Sequence, residues 1–193
     1  MKALIHGIVI ISSFCFLSCT ENQDKVSYYG LLNDTNRDLA VIVYPELFGS
    51  HLDMLDRVEE IACHDSIPTV RVNSEEEVKL IGLTNRCMDG IVCMMSDVLK
   101  IQDDLIMLGE PITLDSLSIC MSEHYFNPKK RPHFSDSPLA ASVSIVYDQN
   151  DLSNLHGLLE RLIEEHAALD LDEPLKVHLD TVVPPPPSPS NEL

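Results

Sequence analysis

Leu39-Ala-Val-Ile-Val-Tyr44 is an unbroken apolar run, rich in β-branched residues and stopped by Pro45, and a buried strand is the structure that suits it. It reads as the central strand of a sheet. After the loop 45–49, Ser50 stands three residues before Asp53, the spacing of a helix start whose two residues cap each other. Leu52, Leu55, Val58, Ile61 and Ala62 then recur at helical spacing, while Asp53, Asp56, Arg57, Glu59 and Glu60 take the other faces. A second strand is expected over 67–72 (IPTVRV). Ser74 and Glu77 form a further capping pair, with Val78 and Ile81 as the buried stripe of a helix ending near Arg86, and Gly90 to Met95 reads as a third strand. Strand, helix, strand, helix, strand with short loops predicts an α/β fold: a small, mostly parallel sheet with a βαβαβ core, helices on its faces and a C-terminal helix.

Beyond that core, Leu105 to Leu108 and Leu117 to Met121 are short apolar segments separated by the turn-rich GEPITLD, and the second alternates as a strand would, with Leu117, Ile119 and Met121 on one face. Residues 124–138 hold three prolines and the basic cluster Lys129, Lys130 and Arg131, and read as a long loop. Val143 to Tyr147 is a further strand. From Leu152 to Leu169 the leucines 152, 155, 159, 162 and 169 repeat at steps of three and four, with His166 in the remaining slot. That seam is expected to face the core. Residues 39–181 are therefore read as one α/β domain, and 182–193, with Pro184 to Pro187, as a proline-rich disordered tail.

The first residues carry an address. Lys2 precedes fifteen mostly apolar residues, Ala3 to Leu17, fewer than the roughly 20 that a spanning helix needs and the length of a signal peptide. The junction Phe16-Leu17-Ser18-Cys19 resembles the lipobox of bacterial lipoproteins. The resemblance implies a signal peptide over 1–18 and a Cys19 that becomes the acylated N-terminus. It also implies a polar tether over 19–38 and a domain held at the cell envelope, on the outer membrane or the outer face of the inner membrane. Several acyl chains anchor stably where one does not.

Thirteen Lys plus Arg against 31 Asp plus Glu give a net charge of −18, and a surface that acidic repels phosphate backbones, so nucleic acid is excluded as a partner. The chain contains no GxGxxG, Walker loop, GxSxG or HExxH, and none of its eight histidines stands two or four residues from another. No metal and no cofactor are expected, and each histidine reads as a surface or packing residue. Besides Cys19 the domain has Cys63, Cys87, Cys93 and Cys120, which allow three pairings; Cys93 and Cys120 lie in apolar runs, where a free thiol behaves as a small hydrophobe. Nothing in this pattern points to an enzyme.

From Ile67 to Glu123 the order of features resembles the second lobe of periplasmic solute-binding proteins for polar amino acids: a strand, a capped acidic helix (VNSEEEVKLI), an Asp opening an apolar strand (Asp89-Gly-Ile-Val), the phrase Leu108-Gly-Glu-Pro-Ile112, and a closing strand over 117–121. That family grips the ligand's amino group with an Asp a few residues after the opening one. Here the matching region reads Cys93-Met94-Met95, and the nearest acid is Asp97. Only residues 20–38 precede the first strand, too few for a first lobe, so kinship implies a single-lobe or degenerate relative. Its ligand site would lie at the carboxyl edge of the sheet, on Glu46, Ser50, Ser74 and Asp97. The missing acid favours the other reading, a non-enzymatic envelope lipoprotein that binds a protein partner, with the small-molecule binder as the alternative.

Overall fold

The computed structural model describes residues 25–73, 77–84, 97–132, 134–147 and 152–180. Among the described residues, two mixed sheets share one hydrophobic core with three helices. In the first sheet β1 (Lys25–Gly30), β2 (Ala40–Val43), β3 (Ile67–Asn73) and β4 (Glu77–Gly82) lie in the order β1-β4-β3-β2, with α1 (His51–Ala62) crossing from β2 to β3. The second has β5 (Val98–Gln102), β6 (Leu105–Leu108), β7 (Glu110–Thr113), β8 (Ser142–Val146) and β9 (Val177–Asp180) in the order β7-β6-β5-β8-β9. Between β7 and β8 runs α2 (Leu117–Phe126), and α3 (Leu155–Ala167) joins β8 to β9.

The mostly parallel βαβαβ core predicted from the sequence does not form. Pairs β1–β4, β2–β3, β5–β8 and β8–β9 are parallel, whereas β3–β4, β5–β6 and β6–β7 are antiparallel. The predicted second helix is the main error. Glu77 to Gly82 is a strand, held by β1 on one side and β3 on the other, so its backbone groups are paired along both edges. Val78 and Leu80 face outward while Lys79 and Ile81 face inward. Lys79 tolerates that position because its ammonium meets Glu160 Oε1 at 3.4 Å and Glu164 Oε1 at 3.6 Å on α3. Ser74 and the expected strand 90–95 lie outside the described residues.

Other expectations also move. The Leu39–Tyr44 strand is present as β2 but at a sheet edge, with Ala40, Val41 and Ile42 only half-buried. Lys25–Gly30, read as part of the tether, is a strand. The expected strand over 117–121 is the first half of α2, in which Leu117, Cys120, Met121, His124 and Tyr125 are buried at helical spacing and Ile119 is exposed. Glu110–Thr113, expected in a turn, is β7.

The remaining elements follow their local chemistry. Ser50 caps α1, its hydroxyl accepting from the Asp53 amide at 3.1 Å, and Met54 rather than Leu52 joins Leu55, Val58 and Ile61 in the core. Asp103 and Asp104, both with positive φ, make the two-residue turn between β5 and β6. Gly30 has φ +70°, and a Cβ there would collide with the Gly82 carbonyl, so β1 and β4 approach as only glycine allows. Leu152, Leu155, Leu159 and Leu162 enter the core as their spacing predicts. The sheets join where β4 ends: the Thr84 amide donates to the Val177 carbonyl of β9 at 2.8 Å.

Candidate functional site

Of the residues nominated from the sequence, Glu46 and Ser50 lie at one end of the second sheet and Asp97 at the other, and Ser74 lies outside the described residues. Glu46 sits exposed in the turn Pro45–Leu47, and the Ser50 hydroxyl is committed to α1, donating to Asp53 Oδ2 at 2.8 Å. This loop meets the second sheet at the carboxyl end of β9. There His51 Nε2 donates to the Asp180 carbonyl at 2.8 Å, and its ring lies edge-on to Tyr147 at 5.7 Å. Asp97 immediately precedes β5, at the opposite end: Val98 pairs with Ser142, and Asp180 pairs with Val146. Four residues of β8 separate the two ends, about 13 Å at strand rise. One small ligand cannot bridge that gap, so these residues form no shared pocket. Two elements that carried the solute-binding resemblance also differ, since 77–82 is a strand and 117–126 a helix.

Asp97 belongs instead to a buried polar cluster that the sequence did not reveal. His124 and Ser135 are both sealed from solvent (0% exposed). His124 Nε2 donates to the Ser142 carbonyl at 3.0 Å, and its Nδ1 accepts the Ser135 amide at 3.4 Å. The Ser135 hydroxyl reaches Asp97 Oδ1 at 2.8 Å, and Ser142 Oγ donates to the Asp97 carbonyl at 3.1 Å. Burial pushes the His124 imidazole down, against the opposing pull of the Ser142 carbonyl and the Asp97 charge.

Serine, histidine and aspartate stand together here in the wrong order for nucleophilic catalysis. A triad needs its histidine to accept the serine proton and the acid to orient the histidine. Here the imidazole lone pair is occupied by a backbone amide, and the serine hydroxyl goes directly to the carboxylate. The cluster instead pins the loop between α2 and β8. Asn127 completes that fastening from a left-handed cap (φ 33°), its Oδ1 accepting from the Arg131 amide at 2.7 Å and its Nδ2 donating to the Phe134 carbonyl at 3.1 Å. Asn-Pro at a helix end is a legible loop signal; nothing local distinguishes His124 from the other histidines.

Tyr125 and His166 pack edge-on at 5.1 Å between α2 and α3, and Tyr125 Oη and His166 Nε2 are buried without hydrogen-bond partners. Burial raises the Tyr125 phenol and lowers the His166 imidazole, so both are neutral at pH 7. Cys63 is disulfide-bonded and Cys120 is a buried free thiol, which excludes a framework in which all four domain cysteines pair. Among the described residues no group of three or more His, Cys, Asp or Glu is placed to hold a metal, and no helix is long and apolar enough to cross a membrane.

The loop carrying Glu46 and Ser50 does have a distinct surface. Tyr44, Leu47 and Leu52 are all exposed along it, apolar side chains of the kind that contact other molecules. No protein-family model, no curated protein and no solved structure matches this chain.

Proposed function

We propose that this chain is a membrane-anchored, extracytoplasmic lipoprotein that acts without catalysis, as a protein-interaction or envelope component. The observation that carries the reading is the junction Phe16-Leu17-Ser18-Cys19 at the end of a fifteen-residue apolar run. Acyl chains on Cys19 supply the membrane affinity that so acidic a domain lacks by itself. The sealed Ser135 and the occupied imidazole of His124 fit a structural role for the cluster that brings catalytic residue types together among the described residues, and the exposed Tyr44, Leu47 and Leu52 fit a contact surface. The test is growth of expressing bacteria with labelled palmitate, followed by detergent phase separation. The parent chain is expected to take up label and enter the detergent phase, and Cys19→Ser to do neither. Equal partitioning of the two without label would sink the reading.

A further inference from the structure

The first sheet has a second face, turned away from the core. On it Leu32 covers the end near Gly82 and Ile67, and both Ile67 and Thr69 are buried. At the opposite end, where β1 begins, Tyr28, Val78 and Leu80 are only half-buried. Val26, at 43% exposure, lies beside Val78 in register, Tyr28 beside Leu80, and Leu80 beside the exposed Arg71 of β3. Arg37 lies close enough to the Tyr28 hydroxyl to interact with it, with Asp34 and Asp38 nearby. Lys25, at the start of β1, pairs with Glu77 at 3.3 Å. Apolar and aromatic groups with arginines at their margin make a surface that suits a lipid headgroup region, where aromatic rings and cationic side chains lie between water and hydrocarbon.

We infer that this end of the outer face, Val26, Tyr28, Val78 and Leu80 with Arg37 and Arg71, rests on the lipid surface. The inference builds on the proposed acylation of Cys19. Chain length supplies the independent argument. Lys25 follows Cys19 by six residues, a reach of about 20 Å even when fully extended. A domain of this size has a radius of gyration of roughly 15 Å, hence a width of roughly 40 Å. A tether shorter than the domain cannot let it turn over, so the Lys25 end of β1 stays nearest the bilayer. That is the end at which Val26 is exposed and Tyr28, Val78 and Leu80 are only half-buried. The net charge of −18 opposes contact with anionic headgroups through the acidic faces, whereas at this end Lys25 and Arg37 offset Glu77, Asp34 and Asp38 and Arg71 adds a positive charge.

The chain has no tryptophan, so a single introduced one reports its own surroundings. Tyr28→Trp and Val26→Trp probe the patch, and Phe126→Trp, at an exposed position on α2, is the control. Each full-length, palmitate-labelled variant is reconstituted into phosphatidylethanolamine–phosphatidylglycerol vesicles containing lipid with a headgroup-level nitroxide. Expected are a blue shift and strong quenching at positions 26 and 28, weak quenching at 126, and loss of the difference in Arg37→Glu/Arg71→Glu. Labelled protein with equal quenching at all three positions, or a patch that is quenched less than the control, overturns the docking inference and leaves acylation standing. An unlabelled chain that does not float with the vesicles ends both. Tryptophans at 26 and 28 that are not quenched in the vesicles but shift to the blue when a protein partner binds would assign the face to protein and overturn the lipid reading as well.

Discussion

The two sheets solve the same problem differently. In the second sheet β8 is buried along its whole length, with parallel neighbours on both sides and two serines among its five residues. In the first sheet β4 is also central, yet its outward Val78 and Leu80 are only half-buried and an inward Lys79 is neutralised by α3. The fully enclosed strand carries hydroxyls, and the half-open strand carries large apolar groups on its open side. Apolar character along a strand therefore does not measure burial here. On β4 the outward Val78 and Leu80 stay half-buried, while on β8 small polar residues are tolerated where neighbouring strands and side chains close over them.

The largest test of this contrast is the core that both sheets share. Leu159 is fully buried on α3, the helix that also holds Lys79 of the first sheet through Glu160 and Glu164. Leu159→Ala should cost about 2–5 kcal/mol in urea unfolding, because it removes transfer energy and leaves a cavity. Both sheets should lose protection together. If only the second sheet loosens, the two do not share one cooperative core.

A smaller effect separates their edges. Gly30 in β1 and Gly109 between β6 and β7 both have positive φ, but a Cβ at Gly30 strikes the Gly82 carbonyl while one at Gly109 meets nothing within 4 Å. Gly109→Ala should cost about 1 kcal/mol of backbone strain, and Gly30→Ala clearly more, since strain and collision add. Equal losses would mean that β1 is not packed against β4 as closely as described.

The third difference vanishes at neutral pH and grows with acid. His124 and His166 hold pKa values lowered by burial, so the unfolded chain binds protons more readily than the folded one as pH falls below about 6.5. Their contribution is complete above that pH and is lost as pH drops toward the folded values. His124 faces Asp97, the Ser135 amide, the Ser142 carbonyl and the rings of Tyr125 and Phe134; His166 faces Tyr125 and Glu173. Acid should therefore loosen α2 and the 127–141 loop before α1, seen as earlier amide exchange there and a falling urea midpoint. A midpoint independent of pH would remove both histidines from the core.

Helix α1 and the leucine seam of α3 were legible because each depends on contacts within a few residues: a cap at Ser50, and apolar groups at steps of three and four. The sequence also determined the strongly acidic charge and the fifteen-residue apolar run before Cys19, which are properties of composition and order alone. The tertiary structure decided what local pattern leaves degenerate. EVKLIG satisfies a helix and a strand about equally, and only β1 and β3 alongside it, with Glu160 and Glu164 placed across the core, select the strand. In the same way LSICM alternates like a strand, but His124 can occupy a core position of a helix because Ser142 and Ser135 satisfy both its nitrogens. Buried polar residues take their partners from distant parts of the chain, so the energy that permits them, and the elements they select, do not exist until those parts have met.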